Sequence, residues 1–254
     1  MESMASWRKV LKADRWDEWE KLETDQRKGI PVPPPQKPCA ADAVLIDLVS
    51  PEGLKLGQMP LVEAIRRRRS HRAFTPDPLT LEELSFLLWA TQGVSRAIEG
   101  PGGKIVRTLR SVPSGGGRHP FETYLLANRV DGLKPGLYRY LPLEHKLYLL
   151  RAGADLADEV CAACRGQRFV KESAVTFIWT AIPYRTEWRY AMLSSKIIAQ
   201  DSGHLCQNLY LASEAIGAGT CAIGAYDQAK IDPILGVDGE EEFTVYVAPV
   251  GKVE

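Results

Sequence analysis

The stretch Arg66-Arg67-Arg68-Arg69-Ser70-His71-Arg72-Ala73-Phe74 gathers guanidinium groups around one hydroxyl, and the chain later runs Pro113-Ser114-Gly115-Gly116-Gly117-Arg118-His119-Pro120. Arginine offers planar, permanently charged contacts to a phosphate. A glycine run lets backbone N–H groups approach a ligand without obstruction from Cβ atoms. Together the two stretches predict an anion site. Taken alone, the first is also compatible with a solvated helix end, where cations complement the helix dipole, and the second with a plain tight turn.

The composition is that of a globular protein without a general affinity for polyanions. The 254 residues are 45% hydrophobic and 25% charged, which suits one large domain or two small ones. Because 32 basic residues balance 32 acidic ones, we expect no global attraction to a nucleic acid or an anionic membrane. The N-terminus lacks the apolar core of a signal peptide, and no apolar stretch approaches the length of about twenty residues that spans a bilayer.

The cysteines predict reduced thiols in the cytoplasm. They are odd in number and scattered, at Cys39, Cys161, Cys164, Cys206 and Cys221. The close pair, Cys161 and Cys164, lies in a helical pattern, and a zinc site would need further ligands that no second Cys or His pair supplies. We therefore expect helix packing and no metal site.

The N-terminal residues differ in character from the rest. Residues 1–28 predict an amphipathic helix in which Trp7, Trp16 and Trp19 alternate with charges, and tryptophans so placed indicate packing onto a body or a partner subunit. Prolines at 31–38 then predict an extended connector. We divide the chain into an arm with its connector, residues 1–58, and a body, residues 59–254.

The body predicts an α+β fold. Thr80-Leu81-Glu82-Glu83 is a capping box that begins a helix ending at Gly93. Residues 95–110 are polar and glycine-rich, which predicts a mobile loop. Strands are predicted at 121–127, 136–140, 146–150, 174–180 and 243–248, the fourth of these central in the sheet, and one long helix at 194–216. This order indicates a sheet with helices packed around it.

These motifs, taken in order, resemble the FMN-dependent nitroreductase superfamily and, within it, the SagB-type dehydrogenase group. The matching pieces are 67–74, 84–93, 113–124, 136–140, 203–211, 219–224 and 249–252. The resemblance covers roughly residues 60 to 252. It implies a central antiparallel or mixed sheet surrounded by helices, in an intertwined homodimer with two FMN sites at the interface.

The resemblance also implies a set of flavin contacts. Those to the phosphate, the ribityl chain or the ring edge would be Arg68, Arg69, Ser70 and Arg72. Those passing against the ring from the neighbouring subunit would be Pro113, Ser114, Gly115, Gly116 and Gly117. Gly224 would approach the ring, and Lys252 would help to neutralise the phosphate. Many relatives have an asparagine where Gly117 stands, so a side-chain hydrogen bond from that position is absent here. His119 lies next to the expected flavin and is a candidate to hydrogen-bond it, whereas we expect His204 to be a packing histidine.

The residues Trp188-Arg189-Tyr190 bear on which substrate the protein uses. In the peptide azoline oxidases of the SagB group, a Lys-Tyr pair at the matching place is associated with deprotonating the heterocycle. Arg189 replaces the lysine, and a guanidinium group is a poor base because it stays protonated. Tyr190 remains available as an acid or base, with a packing aromatic as the alternative.

The function that this implies is oxidoreduction. The favoured hypothesis is ping-pong hydride transfer from NAD(P)H through FMN to a small nitroaromatic or quinone acceptor, because the flavin carries the chemistry while the protein supplies orientation and access. The alternative is a SagB-type dehydrogenase or oxidase acting on a peptide azoline or another organic substrate, with a cyclodehydratase-like partner. A third hypothesis is a flavin-binding or anion-binding module without turnover, or a nucleic-acid contact through the arginines, which salt-dependent binding would reveal.

Overall fold

The order of helices and strands comes from a computed structural model, which describes residue 6, residues 8–153 and residues 155–254. The helices are α1 (Trp16–Lys21), α2 (Leu61–Arg67), α3 (Leu81–Gln92), α4 (Leu156–Ala163), α5 (Phe169–Glu172), α6 (Tyr184–Tyr190), α7 (Ser194–Glu214) and α8 (Gln228–Leu235). The strands are β1 (Leu45–Asp47), β2 (Val94–Glu99), β3 (Ile105–Arg110), β4 (Phe121–Ala127), β5 (Gly136–Leu141), β6 (Lys146–Ala152), β7 (Val175–Ala181), β8 (Ala218–Thr220) and β9 (Phe243–Lys252).

One antiparallel sheet organises the body, with the strand order β1-β6-β5-β4-β7-β9-β8. Strands β4 and β7 are buried along their whole length because helices cover both faces of the sheet. Alternate residues of β4 therefore enter different cores: Leu125 packs with α3 and α7, whereas Leu126 packs with α4, α5 and α8. The α+β prediction and the central position of β7 are confirmed.

The helices that support the site follow the predicted local signals. The side chain of Thr80 accepts a hydrogen bond from the backbone of Glu83, and the Glu83 carboxylate accepts one from Thr80, so the capping box is formed. Helix α3 ends at Gly93, as predicted. Helix α7 follows the predicted long helix closely and buries Leu205 and Leu209 against α3 and the sheet. With 21 residues, it is about 30 Å long.

Residues 95–110 are not the mobile loop that the sequence predicted. They belong to a two-stranded antiparallel ribbon of β2 and β3, in which Ala97 pairs with Thr108 and Ile98 with Arg107. Gly102 and Gly103 at its tip have φ values of 73°, a conformation that glycine adopts without strain. The prediction was wrong because strand pairing uses backbone groups, and this ribbon forms with polar side chains on exposed faces.

The predicted single helix over residues 1–28 is also wrong in the described part of the chain. Residues Lys9–Leu11 form one short 3-10 turn, and α1 forms a second, separate piece. Arg27 explains why α1 ends at Lys21. Its guanidinium group donates hydrogen bonds to the backbone carbonyls of Trp19, Glu20 and Leu22 at 2.6–3.0 Å. A tertiary contact thereby satisfies the carbonyls that a longer helix would use. Trp7 lies outside the described residues.

Buried arginines hold the connector against the sheet. Arg185 donates to the carbonyl of Pro34 at 2.9 Å, and Arg110 donates to the carbonyl of Pro35 at 2.8 Å. Arg185 also forms a buried ion pair with Glu122 at 2.6 Å. Because the connector supplies acceptors to buried cations, it is fixed to the body even though it contains neither helix nor strand.

The predicted packing of Cys161 and Cys164 is confirmed, since both lie buried in the core cluster beneath α4. Burial raises the pKa of the Cys164 thiol to about 12. The described residues contain no group of side chains arranged to hold a metal ion. Of the helices in residues 8–153 and 155–254, none combines the length and apolarity needed to cross a lipid bilayer.

Candidate functional site

The glycine run forms a short 3-10 turn, Gly115–Gly117, that helix α7 holds in place. Gly116 and Gly117 have φ values of 59° and 65°, which explains why glycines occupy these positions. The hydroxyl of Ser114 donates to Asp201 at 2.6 Å, and the N–H of the first glycine donates to the same carboxylate at 3.2 Å. Asp201 is 4% exposed, and burial raises its pKa while these hydrogen bonds lower it. A buried carboxylate thus fixes the turn. Pro113, the first residue of the predicted run, is exposed.

His119 supports the turn from the other side. Its backbone N–H donates to the hydroxyl of Ser114 at 2.9 Å, and its side chain is buried. Burial and the neighbouring charges of Arg110 and Arg118 lower its pKa to about 3, so the imidazole is neutral near pH 7. Its predicted hydrogen bond to a flavin stays a prediction.

The structure brings Arg189 and Tyr190 directly to the glycine turn. A Cβ atom built on Gly116 would lie 2.7 Å from the Tyr190 hydroxyl oxygen and 3.0 Å from Cδ of Arg189. On its other side, the Tyr190 ring stacks on Trp19 with centroids 6.1 Å apart and meets the edge of Trp16 at 6.3 Å. The indole N–H of Trp19 donates to the carbonyl of Arg189 at 3.0 Å. Tyr190 therefore packs its ring on the arm and presents its hydroxyl to the turn.

A cavity of about 700 Å³ lies beside this turn, between the arm and the first turns of α7. Its lining includes Lys9, Val10, Lys12, Asp14, Arg15, Trp16, Glu18, Met192, Leu193, Lys196, Ile197 and Gln200. Ile197 also packs against Gly115 so closely that no Cβ atom would fit between them. The volume falls within the range of small-molecule sites. The cavity thus adjoins both the glycine turn and the residues that cover Tyr190.

The arginine stretch lies at the end of α2, around a tyrosine of α7. The guanidinium carbon of Arg68 lies 5.3 Å from the centroid of the Tyr210 ring. The hydroxyls of Ser70 and Tyr210 are 3.1 Å apart, and the Tyr210 hydroxyl accepts from the N–H of Ala222 at 2.9 Å. Tyr210 therefore links the arginine stretch to the segment that precedes Gly224.

Four predicted flavin contacts remain. Two of them, Arg69 and Lys252, already bond to other groups of the chain, whereas Arg72 and Gly224 border open space. Arg69 folds back onto the last carbonyls of α2 at 2.9–3.2 Å, as the helix-end alternative predicted. Arg72 is exposed, and a Cβ atom on Gly224 would meet no neighbour within 4 Å. Lys252 forms an ion pair with Glu83 and donates to a backbone carbonyl at the end of α7. Its charge is thus already balanced within the chain.

Within one chain, the arginine stretch and the glycine turn lie apart along α7. The turn is held by Asp201 and the arginine stretch by Tyr210, nine positions further along that helix. At 1.5 Å per residue, these two anchors are about 14 Å apart. A single chain does not gather both stretches around one phosphate, and the two-subunit site that the resemblance implies stays a prediction.

Sequence reasoning missed Asp201 and Tyr210 and misjudged His204. The side chain of His204 is 48% exposed, so it is not the packing histidine that was predicted; its Nδ1 lies 3.7 Å from Asp201. Tyr210 stands inside the motif 203–211, which offered a signal for it. The signal for Asp201 was weaker: it is an acidic residue in a helix that was predicted to be largely buried, and buried carboxylates usually have a specific partner.

Comparisons with known proteins agree with the fold and with the resemblance found in the sequence. The model of the nitroreductase family matches residues 65–252. A Methanocaldococcus jannaschii protein described as a nitroreductase is 30% identical over 201 residues, 77% of this chain and 95% of the relative. A solved structure described as a nitroreductase from Ralstonia eutropha JMP134 superposes with a TM-score of 0.66 at 27% identity, covering 88% of this chain and 97% of the other.

A second relative has a different description. The trifolitoxin-processing protein TfxB of Rhizobium leguminosarum bv. trifolii is 28% identical over 137 residues. The match covers 51% of this chain and 36% of that protein, so the chain spans about a third of this relative's length. The family model and these relatives agree with the family resemblance found in the sequence.

Proposed function

Because the chain belongs to the nitroreductase family, we propose that it is an FMN-dependent oxidoreductase that passes hydride from NAD(P)H to a small nitroaromatic or quinone acceptor. The observation that carries the proposal is the meeting of Gly116 with Arg189 and Tyr190 beside a cavity of about 700 Å³. An acid group and a permanent cation there face a turn built for close backbone approach. We propose that the protein works as a cytoplasmic homodimer.

The residues present fit FMN. Arg68 and Arg72 form no ion pair with a carboxylate in the described part of the chain, which suits them to a phosphate. Ser70 adds a hydroxyl, and Gly224 borders open space that a ring could occupy. When bound, FMN supplies the hydride chemistry, while these side chains bind and orient it.

The chain's own residues then have separate tasks. Asp201 and Ser114 hold the turn in position, which keeps the first backbone N–H groups of the turn fixed. The hydroxyl of Tyr190 is placed to donate a proton to an acceptor that lies against the turn. The guanidinium group of Arg189 would stabilise negative charge on that acceptor. Trp19 covers the outer face of Tyr190 and so limits water on that side.

The second candidate function is a SagB-type dehydrogenase acting on a peptide azoline. The match to a trifolitoxin-processing protein favours it, and the arm offers a surface for a peptide or for a cyclodehydratase-like partner. Arg189 argues against it, because a guanidinium group does not remove protons near neutral pH. We therefore place this function second.

The visible absorption spectrum of the purified protein, before and after anaerobic addition of NADH or NADPH, tests the proposal. We expect a two-banded flavin spectrum that bleaches with one of the two nucleotides, and a mass in solution of twice the chain. Bound flavin that does not bleach, together with oxidation of a thiazoline peptide without nicotinamide, would support the second function. Protein that takes up no flavin after incubation with FMN would contradict both.

A further inference from the structure

Three arginines surround the far side of the glycine turn. Arg107 reaches it from strand β3, where its Cδ would lie 3.5 Å from a Cβ atom on Gly117. Arg189 reaches it from α6, where its Nε would lie 3.1 Å from a Cβ atom on Gly116. Arg118 follows the turn directly and donates to a carbonyl of the β2–β3 ribbon at 3.4 Å. Separate elements thus converge their cations on one turn.

These cations lack counter-charges. Within residues 8–153 and 155–254, neither Arg107, Arg118 nor Arg189 forms an ion pair with an aspartate or a glutamate. The Nε atoms of Arg118 and Arg189 are buried and have no hydrogen-bond partner among the residues that the structure describes. Arg185, in the same helix as Arg189, shows the contrast, because it is paired with Glu122 at 2.6 Å. The three arginines of the cluster therefore lack the carboxylate partner that Arg185 has.

The electrostatic situation favours an added anion. Burial and the charges of Arg189 and Arg107 lower the pKa of Arg118. Crowded like charges and unpaired buried donors both cost free energy, and a bound anion would offset both costs. Arg107 is exposed, whereas Arg118 and Arg189 are half-buried, and the Tyr190 hydroxyl lies at the same turn.

We propose that Arg107, Arg118 and Arg189 form a subsite for a carboxylate of the electron acceptor, beside the Tyr190 hydroxyl. This inference rests on the proposed function, because it assigns the class of acceptor used at that site. The flavin phosphate has a different set of donors at the end of α2, around Arg68. The paired N–H groups of a guanidinium match the two oxygens of a carboxylate. The acceptor is therefore an anionic aromatic compound.

Equilibrium binding tests this subsite without turnover. Oxidised, FMN-loaded protein is titrated calorimetrically with 4-nitrobenzoate and with neutral 4-nitrobenzamide, in the absence of nicotinamide. We expect the benzoate to bind about tenfold more tightly than the amide, as for a hydrogen bond to a charged group. Arg107→Gln, at an exposed position, should bring the ratio of the two affinities close to one. Lys104→Gln removes the same charge from the tip of the same ribbon and should leave the ratio unchanged.

The other outcomes overturn the inference. Equal affinities in the unmodified protein would exclude a carboxylate subsite. A loss of FMN from Arg107→Gln would assign the cluster to the cofactor phosphate, and a rise in the KM for NADPH without a change in the benzoate affinity would assign it to the nucleotide. Failure of the proposed function gives a different signature, since the protein would then contain no flavin that NADH or NADPH bleaches. Raised salt should weaken benzoate binding and leave amide binding unaffected.

Discussion

Substituting alanine for Gly116 tests whether the contact between the glycine turn and Tyr190 matters for turnover. At a φ of 59°, an L-residue costs about 1–2 kcal/mol relative to glycine. The new Cβ atom would also lie 2.7 Å from the Tyr190 hydroxyl oxygen and 3.0 Å from Cδ of Arg189, closer than van der Waals contact allows. The side chains of Tyr190 and Arg189 must therefore move, and overpacking of this kind costs about 1–3 kcal/mol more.

Gly117→Ala is the matched control. Its φ of 65° carries the same backbone strain, but its Cβ atom would lie 3.5 Å from Cδ of Arg107, an ordinary contact. In urea unfolding we expect Gly117→Ala to lose about 1–2 kcal/mol of stability, and Gly116→Ala to lose about 1–3 kcal/mol beyond that. Both variants carry the backbone strain of the turn, so the difference between their free energies of unfolding reports the cost of displacing Tyr190 and Arg189.

Turnover is then measured at saturating FMN, with NADPH and a nitroaromatic acceptor, at a temperature where both variants are folded. We expect kcat of Gly116→Ala to fall at least tenfold below that of Gly117→Ala, because a displacement of about 1 Å in a reacting group can cost a hundredfold. Two variants with equal kcat would refute the role given to the Tyr190 hydroxyl. Equal stability would refute the steric argument itself.

Four further predictions concern groups near the arginine stretch and the glycine turn. Arg68→Ala should release FMN more readily than Lys252→Ala, measured as flavin retained on dialysis, because Arg68 has no carboxylate partner in the described part of the chain whereas Lys252 is paired with Glu83. Lys252→Ala should instead destabilise the fold by about 1–3 kcal/mol, seen in urea unfolding, because the mostly buried Glu83 carboxylate loses its cation and keeps only the hydrogen bond from Thr80. His119 has a pKa depressed from 6.5 to about 3, so its contribution to stability is complete above pH 6.5 and is lost as the pH falls toward 3, by up to about 1.4 kcal/mol per pH unit. His119 has a φ of 46°, which asparagine tolerates, so His119→Asn should flatten that part of the stability profile. Asp201→Asn keeps the shape but removes an acceptor from the turn, and we expect a loss of about 1–3 kcal/mol in urea unfolding, together with weaker FMN binding.

The parts of the fold that the sequence predicted are those with local causes. The capping box at Thr80 and the apolar spacing that follows it specify α3 without help from the rest of the chain. The β-branched and aromatic residues of β7 indicate a central strand because both faces of that strand are buried. The ribbon at residues 94–110 was missed because its strands are polar, and strand pairing there depends on contacts that composition does not report.

The arm and the site depended on tertiary contacts, which explains the other misses. Helix α1 ends where Arg27 donates hydrogen bonds to its last carbonyls, and no helix-end signal in the sequence predicts that Arg27 folds back onto them. Similarly, helical periodicity shows which side of α7 is buried, but it does not show that Asp201 meets the glycine turn or that Tyr210 meets the arginines. Arg189 and Tyr190 were singled out by a motif, which supplied information that periodicity lacks; both lie at the glycine turn, and their part in the reaction stays a prediction.

The arm, which lies outside the family domain, contacts residues inside that domain. The family match begins at residue 65, yet Trp16 and Trp19, which lie far outside it, contact Tyr190 inside it. The same arm forms one wall of the cavity next to the turn, and buried arginines fasten its connector to the sheet. A feature outside the family domain therefore limits access to the hydroxyl that we assign to proton transfer. Under the proposed function, we expect the arm to limit the size of the acceptor and the arginines of the domain to select its charge.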